Sequence, residues 1–113
     1  MATLDTRRYL IIILTVATGL IHLVLLGFLF DGPQWLFILN GLGYLALIAA
    51  LYFLPQFAGM RSLIRWVLIA YAAITVIAYF VMNWPNVWNP LGVITKVIEI
   101  VLIILLLMDN PEV

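Results

Sequence analysis

Four apolar runs, each of about 20 residues, constrain this chain more than any other feature of its sequence. They lie at about 9–30, 35–54, 63–82 and 91–108. A helix needs about 20 mostly apolar residues to cross the hydrocarbon core of a bilayer, which is about 30 Å thick. The sequence therefore predicts an all-α integral membrane protein, an antiparallel four-transmembrane-helix bundle that forms a single membrane domain over 1–113.

Turn-forming residues separate the four runs. Pro33 suits an early position of the second helix, and Ser62 is a candidate N-cap of the third. Asn89 and Pro90 are expected to cap and open the fourth helix. Connections this short make consecutive helices antiparallel neighbours. The first run is longer than the apolar region of a signal peptide, so we expect it to be retained as a span.

The composition excludes several classes of protein. Only 9% of the residues are charged, against about 25% in a typical soluble domain, whereas 67% are hydrophobic. Five basic and five acidic residues give no net charge, so no basic surface for nucleic acid is expected. The absence of cysteine excludes thiolate chemistry and Cys-ligated metals. The lipid bilayer is the environment that this composition indicates.

The arginines predict the orientation of the bundle. Two precede the first span and two flank the connection between the second and third spans, whereas the other two connections carry no Lys or Arg. Since positively charged segments stay in the cytoplasm, we predict a multi-pass protein of the cell inner (plasma) membrane with both termini cytoplasmic, N-in/C-in. We name the two ends by their residues: the arginine end holds Arg7, Arg8, Arg61 and Arg65, and the tryptophan end holds Trp35, Trp84 and Trp88.

A layer of polar residues is predicted in the half of the bundle nearer the tryptophan end. Glu99 stands in the middle of the fourth run, where a charge costs roughly 2.5–3.5 kcal/mol and marks a functional candidate. A rise of about 1.5 Å per residue places polar groups of the other helices near its depth. We therefore predict that Glu99 faces inward and hydrogen-bonds within this layer. The candidate ligand- or proton-binding residues are His22, Asn40, Tyr44, Thr75, Lys96 and Glu99.

Several of these candidate residues also have a purely structural interpretation. Lys96 can extend its ammonium toward the headgroups, and Asn40 can serve only as an interhelical hydrogen bond. His22 can be a neutral packing residue, and Glu99 can belong to a structural ion pair. Small residues on the same helix faces, such as Gly43, are expected where helices pack closely.

The residue inventory favours a binding protein over an enzyme. No nucleophile accompanies a base, and no metal-ligand cluster appears, so we predict no catalytic residues and no metal site. We predict a small polytopic inner-membrane protein whose polar pocket binds a small ligand or proton, or which is an accessory subunit of a larger membrane complex or a homo-oligomer. One alternative is a proton-coupled transporter of small molecules or cations that uses Glu99. The other is a haem- or quinone-binding protein that uses His22, with a single His excluding bis-His ligation within one chain.

Overall fold

The computed structural model describes residues 3–30 and 32–109, which contain four long helices and no strand. Each helix is long and apolar enough to cross a membrane. The predicted all-helical architecture with four long apolar helices is confirmed, and these helices suggest a membrane protein. The helices are α1 (Thr6–Leu29), α2 (Trp35–Phe53), α3 (Arg61–Asn83) and α4 (Pro90–Met108), and a 3₁₀ segment, Pro55–Met60, precedes α3.

The start of α4 follows the predicted cap. The Asn89 side chain accepts a hydrogen bond from the Gly92 N–H at 3.1 Å, and Pro90 is the first helical residue, where its missing N–H costs nothing. Asp5 caps α1 in the same way, because its Oδ1 accepts from the Arg8 N–H at 2.9 Å. This cap starts α1 about one turn before the predicted span.

Two positions predicted from the turn residues are wrong. Pro33 lies outside α2, which begins at Trp35. Ser62 lies inside α3, because the segment Pro55–Met60 leads directly into a helix whose first residue is Arg61. The apolar run predicted the start of α2 at Trp35 correctly, whereas Pro33 lies two residues before that start. The start of α3 was predicted two residues too late, at 63.

The packing order of the helices forms a closed ring. α1 packs between α2 and α4, and α3 packs between α4 and α2. The bundle measures 41 × 24 × 21 Å, so its long dimension is close to the thickness of about 40–45 Å of a bilayer with its headgroups. Large apolar side chains face outward, such as Leu36 and Val81, each 74% exposed. A surface of this kind suits lipid.

Glycines in α2 allow its neighbours to approach closely on both sides. A Cβ at Gly41 would overlap the backbone of Gly19 and Leu23 in α1. A Cβ at Gly43 would overlap the Tyr71 hydroxyl of α3. Such close backbone contact is how helices associate where burial of apolar surface between them adds little. Gly41 was not among the small residues that the sequence pattern indicated.

Arginines at the arginine end donate hydrogen bonds to carbonyl groups in the last turns of α2 and α4. Arg65 donates to the Leu106 carbonyl at 2.8 Å, and Arg61 donates to the Leu51 carbonyl at 3.2 Å. Cations at helix C-termini satisfy these carbonyls and complement the helix dipole. The same residues that predict the orientation therefore also cap α2 and α4.

A buried ion pair joins the first and last helices at this end. Arg8 contacts Asp109 at 2.9 Å, and the Tyr52 hydroxyl donates to the other oxygen of Asp109 at 2.8 Å. The Arg8 guanidinium also lies 5.0 Å from the centre of the Tyr52 ring. No sequence pattern indicates this cluster, because Arg8 and Tyr52 lie 101 and 57 residues from Asp109 along the chain.

Candidate functional site

Glu99 is the centre of a buried polar network that connects three helices. Its side chain is fully buried, and its Oε2 accepts hydrogen bonds from the Tyr44 hydroxyl at 2.8 Å and the Thr18 hydroxyl at 3.0 Å. Its Oε1 contacts the ammonium of Lys96. The prediction that Glu99 faces inward and hydrogen-bonds within the polar layer is therefore confirmed.

Lys96 points into the bundle. It stands three residues before Glu99 on α4, and residues at this spacing share a helix face. Its ammonium also lies 5.2 Å from the centre of the Tyr79 ring, a favourable position for a cation over an aromatic face. The residue is 6% exposed. Its ammonium is therefore bound by Glu99 and Tyr79, which is not the snorkelling geometry.

His22 lies where α1 changes from α-helical to π-helical geometry, at the start of the segment Ile21–Leu29. Its Nδ1 is 2.8 Å from the Thr18 carbonyl oxygen and 3.3 Å from the Thr18 hydroxyl. The ring centre lies 6.1 Å from those of Phe37 and Tyr44. π-Helical segments are rare and occur frequently at functional sites, which makes the position of His22 notable.

Asn40 and Thr75 connect α2 to α3. The Asn40 side-chain amide donates to the Thr75 hydroxyl oxygen at 3.0 Å, and the Thr75 hydroxyl donates to the Tyr71 carbonyl at 2.9 Å. The Tyr71 hydroxyl donates in turn to the Asn40 carbonyl at 2.7 Å. These bonds match the interhelical role that the sequence allowed for Asn40. The Asn40 Oδ1 atom, however, is buried without a hydrogen-bond partner among the described residues.

A cavity of about 1110 Å³ opens beside this network in the half of the bundle nearer the tryptophan end. All four helices line it. Asparagines of the connection between α3 and α4, Asn86 and Asn89, lie along it as well, and apolar side chains such as Phe37 and Ile74 form other parts of its wall. The predicted site residues that line the cavity are His22, Asn40, Thr75 and Lys96.

The other two predicted site residues, Tyr44 and Glu99, are fully buried and do not line the cavity. They adjoin it through residues that do, because Glu99 binds Lys96 and the Tyr44 ring packs near His22. The structure thus brings all six residues into one region of the bundle.

Thr18 and Tyr79 are members of the site that the prediction omitted. Thr18 precedes His22 by one helical turn, and Tyr79 follows Thr75 by one turn. The i,i+4 spacing placed each of them on the same helix face as a predicted residue. That spacing was a usable signal for both.

Among residues 3–30 and 32–109, no group of three or more His, Cys, Asp or Glu side chains is placed to hold a metal ion.

Comparison with known proteins identifies a family without indicating an activity. The model of a family of unknown function, DUF7475, matches residues 3–108, which is nearly the whole chain. No curated protein and no solved structure matches the chain. The chain therefore belongs to the DUF7475 family.

Proposed function

We propose that this member of the DUF7475 family is a non-enzymatic inner-membrane protein whose cavity near the tryptophan end binds a small lipid-soluble ligand. The observation that carries the proposal is the cavity of about 1110 Å³ with buried polar groups, among them His22 and Lys96, in a largely apolar wall. Ligand sites in proteins are typically concave and apolar with a few polar groups that orient the ligand.

The surface of the bundle supports placing this cavity in a membrane. The helices present apolar side chains outward over their length, and the four arginines lie together at the opposite end from the cavity. With the arginine end in the cytoplasm, as the positive-inside rule favours, the cavity lies in the outer half of the membrane. A ligand that partitions into lipid could reach it without crossing the inner half.

Filling the cavity is expected to remove the bound ligand. Ala78 on α3 lines the cavity, so Ala78→Phe places a ring in the space that the ligand would occupy. Ala70 is an exposed alanine on the same helix, and Ala70→Phe is the matched control. We expect protein extracted from its own membrane to carry a small molecule close to one per chain, reduced at least about tenfold by Ala78→Phe and unchanged by Ala70→Phe. Native mass spectrometry with extraction of the bound compound measures this.

The same preparation tests the other functions that the sequence left open. A set of larger subunits that copurifies with both variants, without a small molecule, would contradict the proposal and favour an accessory subunit. A Soret absorption band would identify the ligand as haem, and His22 would then be the candidate axial residue. Equal ligand content in Ala78→Phe and wild type would place the ligand elsewhere.

A second candidate function is proton-coupled transport. The observation in its favour is the buried ion pair of Lys96 and Glu99 next to the cavity, since ionisable residues inside membranes mark ion and proton paths. Binding of a cationic substrate near this pair could displace the proton or ammonium that balances the carboxylate of Glu99.

Proton flux into reconstituted vesicles tests this second candidate. We expect Glu99→Gln to abolish substrate-driven proton flux, because an amide cannot exchange a proton for a cation. Asp109→Asn is the control, since Asp109 is also a buried carboxylate but lies at the arginine end, away from the cavity. An absence of flux in wild-type vesicles, or flux that survives Glu99→Gln, would eliminate the transporter.

A further inference from the structure

We propose that the ligand of the cavity is a neutral amphiphile with a hydroxyl group, an alcohol or phenol whose O–H donates to His22 or Asn40. This inference rests on the proposed binding function and specifies its chemistry. It follows from the hydrogen bonds that the protein already makes, because they leave an acceptor unsatisfied on each of these two residues.

The first acceptor is Nε2 of His22. The Thr18 carbonyl can only accept a hydrogen bond, so the short contact of 2.8 Å requires that Nδ1 of His22 carries the hydrogen. In the neutral ring the other nitrogen, Nε2, is then an acceptor. His22 is 4% exposed and lines the cavity, and its Nε2 makes no hydrogen bond with the described residues.

The second acceptor is Oδ1 of Asn40, and its identity follows from the same reasoning. The Thr75 hydroxyl gives its hydrogen to the Tyr71 carbonyl, so it can only accept from Asn40. With this arrangement, the atom of Asn40 that faces Thr75 is the amide nitrogen. Its oxygen is left buried with no partner among the described residues, and an unpaired buried acceptor is costly.

The two acceptors lie at a similar level of the cavity. Phe37 and Tyr44 stand one helical turn on either side of Asn40 on α2. The His22 ring centre is the same distance, 6.1 Å, from the centres of both of these rings. His22 therefore faces the stretch of α2 that contains Asn40.

The charge near the cavity further limits the chemical class of the ligand's head group. A ligand that offers only carbonyl or ether oxygens has no hydrogen for His22 or Asn40. A cationic amine has the hydrogens but would meet the Lys96 ammonium, which lines the same cavity. A hydroxyl group can donate to either acceptor and can accept from Lys96. Apolar wall residues, including Leu26, Phe30, Phe37, Ile74 and Met82, are available to pack against its tail.

A matched pair of probes tests this inference on the full chain in lipid nanodiscs. The probes are 10-bromodecan-1-ol and its methyl ether, which differ in the hydroxyl hydrogen and one methyl group. Bromine quenches tryptophan at short range, and Trp35 lines the cavity. A background with Trp66, Trp84 and Trp88 replaced by Phe reports on Trp35 alone, and the saturable part of the quenching gives the affinity.

We expect the alcohol to bind about tenfold more tightly than the ether, which is the magnitude expected when a buried acceptor gains its donor. His22→Ala and Asn40→Ala should each reduce this preference, while the affinity for the ether changes little. Tyr52→Phe is the control, because it removes a buried hydroxyl at the arginine end and should leave both affinities unchanged.

Each other outcome has a distinct meaning. Equal saturable binding of alcohol and ether would overturn the inference and leave the proposed binding function standing. A preference that survives both His22→Ala and Asn40→Ala would also overturn it, because the hydroxyl would then be recognised elsewhere. If neither probe shows saturable binding and no compound copurifies with the protein, the proposed function fails together with the inference.

Discussion

Replacing Glu99 with leucine is expected to lower the free energy of unfolding by about 3–5 kcal/mol, the usual cost of removing one partner of a buried ion pair. The cost arises because Lys96, 6% exposed, would keep a buried ammonium without its carboxylate. The hydroxyls of Tyr44 and Thr18 would also lose their acceptor. Titration of the purified protein with sodium dodecyl sulfate, followed by the loss of helical circular dichroism, measures the change.

A double-mutant cycle separates the charge from the packing. We expect Lys96→Met alone to be similarly costly, since it leaves the Glu99 carboxylate unpaired. The double variant, Lys96→Met with Glu99→Leu, should recover most of the loss, because apolar residues of similar volume can replace a buried ion pair at little net cost. If the two single losses simply add in the double variant, the ion pair is not the interaction that makes Glu99 costly to remove.

Replacing Gly41 with valine is expected to separate α1 from α2 and to lower the free energy of unfolding by about 3 kcal/mol or more. The valine Cβ would overlap backbone atoms of Gly19 and Leu23, and backbone cannot move aside as a flexible side chain can. Moving α1 outward would also break the bond between Thr18 and Glu99, which crosses from α1 to α4. The same detergent titration provides the measurement.

Gly59 provides the matched control for this substitution. A Cβ at Gly59 would meet no atom within 4 Å, and this glycine lies in the 3₁₀ segment before α3. Gly59→Val should therefore change stability by no more than about 0.5 kcal/mol, as is usual for surface substitutions. Similar losses for Gly41→Val and Gly59→Val would show that the glycine effect is one of backbone freedom, and the close approach of α1 and α2 would lose its support.

Much of the candidate site followed from helical spacing and depth. Counting residues from the helix ends placed His22, Tyr44 and Glu99 at one level, and the structure brings these three residues into one region. The site prediction omitted Thr18, which binds Glu99 directly, although its spacing of four residues from His22 placed both on one helix face. Depth along a helix can be read from sequence, whereas the direction of a side chain around the bundle axis depends on the neighbouring helices.

Length and hydropathy are local properties of a chain, so the four helices, their approximate bounds and the gathering of the arginines at one end could all be predicted from the amino-acid sequence. The sequence also identified Glu99 as a residue whose charge is costly in the middle of an apolar helix unless other groups pair with it. The packing of the helices sets which groups pair with Glu99, points Lys96 inward and brings Asp109 against Arg8. It also sets the close approach of α1 and α2 at Gly41 and leaves a cavity beside the network of Glu99. These contacts join residues tens of positions apart, so they depend on how the helices rotate and pack against one another.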